Sequence, residues 1–360
     1  MTLLTRRRSG RRVPAALVGA VTVLSLALTG CGAAAEPDAA PESGGDSTAA
    51  AEGGVEEGAF PVTIEHKYGE TLLDAAPERV VVVGLKEQDD LLALGVVPVA
   101  TTDWFVDGTP GAIFPWAEEY LGDAETPELL SMADGTEMEK IAGLAPDLII
   151  GVYSGMTKDE YKTLSKIAPV VAQPADVPDY GISWQDQLLT VGQAVGRPQA
   201  AEDLLEETEQ VIEDARAEHP DLEGKTGAVA TPYEGVYVYG EDDPRTRLLT
   251  DLGMVFPTTL VEELPAEFGG NLSEERVDLL DLDTVIWIAS DEETVTSNKL
   301  YANLPVHKDA RDVFIAEDGA YGTAFSFVTV LSLPYVMERL VPQLDAAADG
   351  DPATEVPEAE

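Results

Sequence analysis

The residues of this chain that could form covalent bonds or bind metal ions are few and scattered. The 360 residues include one cysteine, Cys31, and three histidines. The histidines, which share no common spacing, are His66, His219 and His307. A transition-metal site needs several such side chains together. Ser154 lies one position too late for the G-x-S-x-G pattern of a hydrolase nucleophile. The sequence therefore favours a non-enzymatic protein that binds no metal directly. A metal-ion binder and an envelope enzyme stay as remote alternatives.

Cys31 ends the longest apolar run of the chain. Five arginines precede this run, which covers residues 13–28 and leads into Leu28-Thr29-Gly30-Cys31. Residues 1–30 therefore predict a signal peptide, and Cys31 resembles the lipid-bearing cysteine of a bacterial lipobox. Two acyl chains on this residue would anchor the mature chain at the outer, extracytoplasmic face of the cytoplasmic membrane. The alternative is an ordinary secretory signal with a buried free thiol. A single cysteine excludes disulfides within the chain.

Two acidic segments flank the part of the chain that can fold. Residues 31–58 are rich in Ala, Gly, Glu and Asp and have few groups to bury, which predicts a disordered tether. Residues 345–360 have a similar composition and predict a disordered tail. The ordered part is therefore expected to start near residue 59 and to end near residue 344.

The chain is strongly acidic, with a formal net charge of -45. Removal of the signal peptide with its five arginines leaves 17 basic and 67 acidic residues, or -50. This excess of negative charge disfavours nucleic acid as a ligand, because phosphate recognition relies on Lys and Arg. Most of these carboxylates are expected to be solvated surface groups. The charge is equally compatible with a salty habitat, a metal-rich cell wall and cationic ligands.

A weak internal repeat relates residues 134–150 to residues 271–286. In each copy a glutamate precedes an aspartate by eight residues, the pairs being Glu139 with Asp147 and Glu275 with Asp283. Each copy has the pattern of a short helix, a turn and an apolar strand. The repeat therefore predicts two related α/β halves.

The order of apolar segments predicts two Rossmann-like lobes. Runs of Val and Ile alternate with helical stretches in residues 59–183 and again in 223–344, which is typical of mostly parallel sheets covered by helices. Residues 184–222 predict a helical connection. Within it, apolar residues keep helical spacing from Pro198 to about Ala217, enough for a helix of ~30 Å that joins the lobes rigidly. The alternative is an ordinary surface helix within one domain.

The chain resembles the siderophore-binding class of ABC-transporter substrate-binding lipoproteins, which includes ferric-siderophore and cobalamin binding proteins. The similar segments, whose order along the chain carries the resemblance, are residues 77–84, 91–95, 141–150, 275–286 and 331–335. The resemblance implies two α/β lobes, one rigid connecting helix, a ligand cleft between the lobes and little hinge closure. It also implies permease docking through a glutamate on each lobe, and Glu139 and Glu275 match those positions. Alternatively, both are merely solvent-facing helix residues.

The ligand is expected at the ends of the strands, where the loops of α/β sheets form a crevice. The candidate contacts are aromatic residues and arginines in these loops, namely Trp104, Phe105, Tyr153, Tyr233, Tyr239, Arg245, Arg247, Trp287, Tyr321 and Phe325. Trp104 ranks first, because it lies in a polar loop, whereas Trp287 could equally be a core residue.

These candidates suit a ferric siderophore, whose iron is already enclosed by its chelator. Aromatic rings provide flat apolar area, and arginine can bind or stack on the chelate oxygens. The scarcity of basic residues favours a hydroxamate-type complex over a strongly anionic catecholate. We therefore expect a monomeric protein without a cofactor of its own that delivers a ferric siderophore to an ABC permease. Cobalamin and haem are the closest alternatives as ligands.

Overall fold

The computed structural model describes residues 54–103, 109–266, 268–351 and 353–358, apart from the side chain of Glu274. In this part of the chain, strands and helices alternate. The strands are β1 (Val62–His66), β2 (Gly69–Leu73), β3 (Val80–Val82), β4 (Ala100–Thr102), β5 (Glu128–Leu130), β6 (Leu148–Gly151), β7 (Val170–Ala172), β8 (Gly227–Thr231), β9 (Val236–Tyr239), β10 (Gly269–Leu272), β11 (Thr284–Ala289) and β12 (Asp312–Ala316).

The helices are α1 (Glu87–Ala93), α2 (Glu118–Leu121), α3 (Met138–Gly143), α4 (Lys158–Leu164), α5 (Trp184–Val195), α6 (Pro198–Glu218), α7 (Pro244–Asp251), α8 (Thr258–Glu263), α9 (Glu292–Thr296), α10 (Pro305–Lys308), α11 (Ala320–Phe327) and α12 (Ser332–Ala348). Short 3₁₀ helices lie at Pro110–Ala112, Pro220–Leu222, Glu274–Leu280 and Tyr301–Asn303.

Two five-stranded sheets define an N-terminal and a C-terminal lobe. The N-terminal sheet has the order β5-β4-β3-β6-β7 and is parallel throughout. The C-terminal sheet has the corresponding order β10-β9-β8-β11-β12, with β9 antiparallel to both neighbours. A separate antiparallel hairpin, β1–β2, packs beside the first sheet. The shared strand order confirms the prediction of two related α/β halves.

The aspartates of the sequence repeat have the same structural role in both lobes. The Asp147 carboxylate accepts the backbone N–H groups of Glu78 and Arg79, each at 2.8 Å, just before β3. Oδ2 of Asp283 accepts the backbone N–H of Thr226 at 2.8 Å and its hydroxyl at 2.7 Å, just before β8. Each aspartate thus joins the start of one strand to the start of the central strand. The repeat in the sequence therefore preserves a strand-pairing contact.

Helix α6 is the long connection between the lobes. Its 21 residues span ~30 Å, and Pro198 occupies its first turn, where the missing N–H has no cost. The carboxylate of Glu56 accepts the N–H groups of Gln199 at 2.9 Å and Ala200 at 3.0 Å. The last residues of the predicted tether therefore pack on the start of α6 and cap it.

The two lobes also share a hydrophobic core. One continuous cluster of buried side chains includes Val82 and Leu91 from the first lobe and Val229, Ile286 and Leu340 from the second. Each sheet has a further cluster on its other face. Burial of apolar area is the main favourable contribution to folding. The lobes are therefore joined by a common core as well as by α6.

The C-terminal end is ordered further than the sequence predicted. Helix α12 continues to Ala348, so the prediction that order ends at Leu344 was wrong. Beyond α12, the Nε2 group of Gln343 donates to the Pro357 carbonyl at 2.8 Å, and Val356 packs against the shared core. The acidic composition of residues 345–360 predicts disorder. It gives no sign of these contacts, because the apolar surface on which Val356 packs exists only in the folded chain.

Among the described residues, no single helix is both long and apolar enough to cross a membrane, although α11 and α12 together, bent by 112°, meet those criteria of length and composition.

His66 links the β1–β2 hairpin to the first sheet as a neutral side chain. The N–H of Tyr68 donates to Nδ1 of His66 at 3.2 Å, so that Nε2 carries the proton and donates to Oγ1 of Thr71 at 3.0 Å. The Thr71 hydroxyl in turn donates to the Val170 carbonyl at 2.6 Å. Burial lowers the pKa of His66 below its ordinary value of 6.5.

The state of His66 predicts a specific loss of stability in acid. Because its pKa is lower in the folded chain, the unfolded chain takes up the proton first as the pH falls below about 6.5. The free energy of unfolding should therefore decrease more steeply between pH 7 and 5 in the wild type than in His66→Gln. Urea unfolding at several pH values measures this difference, with His219→Gln as control. Equal slopes for the wild type and His66→Gln would contradict the assignment.

Candidate functional site

Asp243 and Arg245 form a buried ion pair at the start of α7. The Asp243 carboxylate caps the helix by accepting the Arg245 N–H at 2.9 Å. The same carboxylate also accepts hydrogen bonds from Nε and Nη2 of Arg245, at 2.7 and 2.6 Å. Such a two-point contact fixes the plane of the guanidinium group. The guanidinium lies 3.6 Å from the ring centroid of Tyr239, at the end of β9.

The positive charge of Arg245 is balanced by the negative charge of Asp243. Burial disfavours the Arg245 cation, but Asp243 outweighs this effect and raises the pKa of the guanidinium. Burial also raises the pKa of Tyr239, which keeps the phenol protonated. The three side chains therefore present a cation with its own counterion, an aromatic face and a hydroxyl group.

Tyr153 and Lys86 face this group from the N-terminal lobe. Tyr153 follows β6, and its ring meets that of Tyr180 edge to face at 5.6 Å between centroids. The Lys86 ammonium lies 4.0 Å from the Tyr153 centroid. Burial raises the pKa of Tyr153, and the charges of Asp243 and Arg245 also act on it through space. Side chains from both lobes thus approach each other at this position.

A cavity of about 540 Å³ lies between the lobes beside this position. Gly181 and Trp184 line it from the N-terminal lobe, and Pro244, Arg247 and Thr250 line it from α7. This volume is in the usual range for small-molecule sites. A larger cavity, of about 890 Å³, lies between β12 and residues 355–358 and shares no lining residue with the interlobe cavity.

The two repeat glutamates have corresponding positions. Glu139 lies on α3, directly after the edge strand β5, and Glu275 lies on the 3₁₀ helix that follows the edge strand β10. Both side chains are exposed. The two carboxylates are therefore related by the internal symmetry of the lobes and are accessible to a partner.

The sequence pattern of the family described as "Periplasmic binding protein" matches residues 80–315. This chain belongs to that family. It is therefore a substrate-binding protein with a transport function rather than an enzyme.

Individual relatives support this assignment. The probable siderophore-binding lipoprotein YfiY of Bacillus subtilis is 26% identical over 249 residues, which cover 67% of this chain and 73% of that protein. A periplasmic solute binding protein from Mycobacterium smegmatis has a similar structure, with a TM-score of 0.70 and 33% identity over 80% of this chain and 98% of that one. PiaA from Streptococcus pneumoniae, solved in complex with ferrichrome, gives a TM-score of 0.72 and 29% identity over 81% and 99%.

Several predicted ligand contacts of this periplasmic binding protein come together in the structure. Tyr153, Tyr239 and Arg245 lie at the interlobe position described above, where Tyr153 is only 4% exposed. Tyr233, in the turn between β8 and β9, is 62% exposed. These four positions stay predictions as ligand contacts. Trp104, Phe105 and the predicted lipidation site Cys31 lie outside the described residues.

Other predicted contacts lie in the core instead. Trp287 is 1% exposed and packs against Tyr301, with 4.7 Å between ring centroids. Phe325 is fully buried in the shared core. Tyr321 is also buried, and its hydroxyl donates to Oε1 of Gln343 at 2.8 Å. The structure thus places these three side chains in the core, because side chains near strand ends also serve to cover the sheet, and their role as ligand contacts stays a prediction.

Arg247 joins the lobes. Its Nη1 donates to the Gly181 carbonyl at 3.3 Å, and its Nη2 donates to Oδ1 of Asp242 at 3.2 Å. The side chain is about one-third exposed and lines the interlobe cavity. Through these contacts Arg247 bridges α7 and the Gly181 carbonyl of the N-terminal lobe.

Two residues of the site, Asp243 and Tyr180, were not among the residues predicted from the sequence. Asp243 could have been recognised, because Asp followed by Pro is a common start of a helix. Tyr180 could not, because its position depends on a left-handed backbone conformation, with φ of 64°, which is uncommon outside glycine. Its contact with Tyr153 therefore appears only in the folded chain.

The three histidines are dispersed in the structure. His66 lies in the β1–β2 hairpin, and His219 follows α6. His307 lies on α10, where its Nδ1 atom is hydrogen-bonded to Oδ2 of Asp312 at 2.8 Å. Within residues 54–103, 109–266, 268–351 and 353–358, no group of three or more His, Cys, Asp or Glu side chains is arranged to hold a metal ion.

The Asp243–Arg245 pair predicts a large effect of a small substitution. Asp243→Asn leaves the buried guanidinium without its carboxylate, so we expect a loss of about 3 kcal/mol in the free energy of unfolding. Asp242→Asn removes a half-exposed partner of Arg247 and should cost no more than about 1 kcal/mol. Urea unfolding of both variants measures the difference. A loss below 1 kcal/mol for Asp243→Asn would mean that the buried pair does not hold Arg245.

Proposed function

We propose that this chain captures a ferric siderophore between its lobes and delivers it to an ABC permease for iron uptake. The observation that carries the proposal is the convergence of Tyr153 from one lobe with Tyr239 and Arg245 from the other. This arrangement supplies aromatic faces and hydrogen-bond donors without a set of metal ligands. A complex whose iron is already saturated by its chelator requires that kind of site.

The charge around the cleft supports a neutral or cationic complex of the hydroxamate type. Arg245 is neutralised by Asp243, and Arg247 is paired with Asp242. The Lys86 ammonium donates to two backbone carbonyls. A tris-catecholate complex would bring several negative charges to cations that already have partners. The ferrichrome complex of PiaA gives independent support, because ferrichrome is a hydroxamate siderophore.

Lipid anchoring at Cys31 would confine the protein near the permease. The sequence has 22 residues between Cys31 and the first described residue, Gly54. The name of the Bacillus relative, a lipoprotein, is consistent with this anchor. The proposed location is therefore the outer face of the cytoplasmic membrane.

Glu139 and Glu275 are the proposed docking residues. They are exposed, lie at symmetry-related positions and belong to a strongly negative chain. Two such carboxylates would orient the protein on a permease with matching basic groups, mainly by setting the register and the association rate. Docking would leave the ligand contacts unchanged.

Ligand titration tests the proposed function directly. We expect saturable quenching of tryptophan fluorescence when the full chain is titrated with ferrichrome. Tyr233→Ala should raise the dissociation constant by roughly 3- to 10-fold, because it removes an aromatic contact. Leu72→Ala, at a site of similar exposure on the β1–β2 hairpin, is the matched control and should have no effect.

Other ligands decide between the alternatives. A ferric catecholate, ferric citrate, cobalamin and haem should give weaker or no quenching. Tighter binding of cobalamin or haem than of every ferric complex would replace the proposed ligand, and an unchanged affinity in Tyr233→Ala would remove that residue from the site.

Charge reversal tests docking separately from binding. The double variant Glu139→Lys with Glu275→Lys should retain its affinity for ferrichrome and lose most iron uptake in cells. The matched control reverses Glu65 and Glu209, two exposed glutamates on the hairpin and α6. Uptake is measured with radioactive ferric complex at equal protein levels. Normal uptake by the first double variant would contradict the docking assignment.

A further inference from the structure

The first turn of α1 places charged side chains in the core shared by the lobes. Lys86, Glu87, Asp89 and Asp90 are all fully buried. Charged residues are rarely buried without partners, because removal from water is costly. Two of the four, Lys86 and Asp89, form hydrogen bonds with groups of the other lobe.

Lys86 bonds to the end of α11. Its ammonium group donates to the carbonyls of Phe327 at 2.9 Å and Val328 at 3.3 Å. These carbonyls belong to the last turn of a helix, which attracts positive charge. Val328 has a left-handed backbone, with φ of 49° and ψ of 71°, a strained conformation for a β-branched residue. The Lys86 contact holds the chain where it adopts this conformation.

Asp89 bonds to the turn that follows. Its Oδ2 atom accepts the hydroxyl of Thr329 at 2.5 Å and Nε1 of Trp116 at 2.8 Å. Thr329 is itself fixed by Ser332, because the Thr329 N–H donates to the Ser332 hydroxyl at 2.9 Å and the Ser332 N–H donates to the Thr329 hydroxyl oxygen at 3.1 Å. Asp89 is therefore connected to the start of α12 through Thr329.

We call Lys86, Asp89 and residues 327–329 the interlobe latch. The latch adjoins the cleft, because the Lys86 ammonium lies 4.0 Å from the Tyr153 ring and because the charges of Asp243 and Arg245 act on Lys86 through space. The close-packed shared core resists large movements of the lobes, and these hydrogen bonds further restrict the distance and direction of the contact. The latch thus adds a directional constraint on the lobe positions.

We infer that Lys86 and Asp89 are positioning residues for ligand binding, which hold the two walls of the cleft at one separation through the interlobe latch. Neither side chain needs to touch the ligand. Loss of the latch would let the lobes sample a range of separations, so that only a fraction of molecules would present a cleft of the right width. The effect on affinity rests on the proposed function, whereas the effect on lobe separation does not.

The lobe separation can be measured by pulsed electron paramagnetic resonance. The parent for this measurement is the full chain with Cys31→Ser, so that only the introduced cysteines are labelled. Nitroxide labels are attached at Lys158→Cys in α4 and Glu293→Cys in α9, two exposed positions. Thr329→Val removes one latch hydroxyl with little change in shape, and Lys86→Met removes the cation. The matched control is Thr102→Val, because Thr102 is equally buried and its hydroxyl bonds within one lobe, to the Val82 carbonyl at 3.1 Å.

The latch variants should broaden the distribution of label distances, and the control should match the parent. Ferrichrome is the probe for affinity, and its dissociation constant should rise about 10-fold in Lys86→Met and stay within 2-fold in Thr102→Val. Folded latch variants that keep both the parent distribution and the parent affinity would overturn the inference. If Lys86→Met does not fold, the distance distribution of Thr329→Val decides. If ferrichrome does not bind the parent, the proposed function fails, and the distances still test the latch.

Discussion

The buried contact between the two sheets is the constraint on which the rest of this structure depends. Side chains from both lobes fill one continuous core, so neither lobe can move without exposing apolar area to water. Packing therefore sets the approximate position of the lobes, and helix α6 and the hydrogen bonds of the interlobe latch restrict it further. Charged groups of α1 lie inside this core, where Lys86 and Asp89 need partners at defined positions. This combination favours a binding site of fixed width, in which the ligand must fit the cleft.

The distribution of charge follows from the same burial. The surface carries most of the 67 acidic residues, which keep the chain soluble and repel other anions. The cations near the cleft have protein partners, Asp243 for Arg245 and backbone carbonyls for Lys86. In the proposed function, a ligand would meet aromatic faces and neutralised cations rather than free positive charge. Such a site would select against strongly anionic chelates, and the exposed carboxylates Glu139 and Glu275 would be available for the proposed permease.

The internal repeat gives the two lobes corresponding surfaces, which the proposed docking on a permease would use. Both sheets have the same strand order, and Asp147 and Asp283 make corresponding contacts at the start of the central strands. The lobes differ where β9 runs antiparallel, and this strand leads to Asp243 and Arg245. The elements that correspond in both lobes thus hold Glu139 and Glu275. Strand β9, in which the lobes differ, leads to the proposed ligand contact Arg245. Symmetry and specificity are located in different parts of the same fold.

The sequence by itself determined the α/β class, the two lobes, the long helix and the relation between Glu139 and Glu275, because strand and helix periodicity and the repeat are local patterns. It also included both Tyr239 and Arg245 among the candidate ligand contacts. It could not separate cleft residues from core residues, as Trp287 and Phe325 demonstrate, because an aromatic after a strand can cover the sheet or face a ligand. Only the tertiary structure decided the shared core and the partners of Lys86 and Asp89. These contacts join residues about 240 positions apart, and no local pattern encodes which distant carbonyl or hydroxyl a buried charge will find.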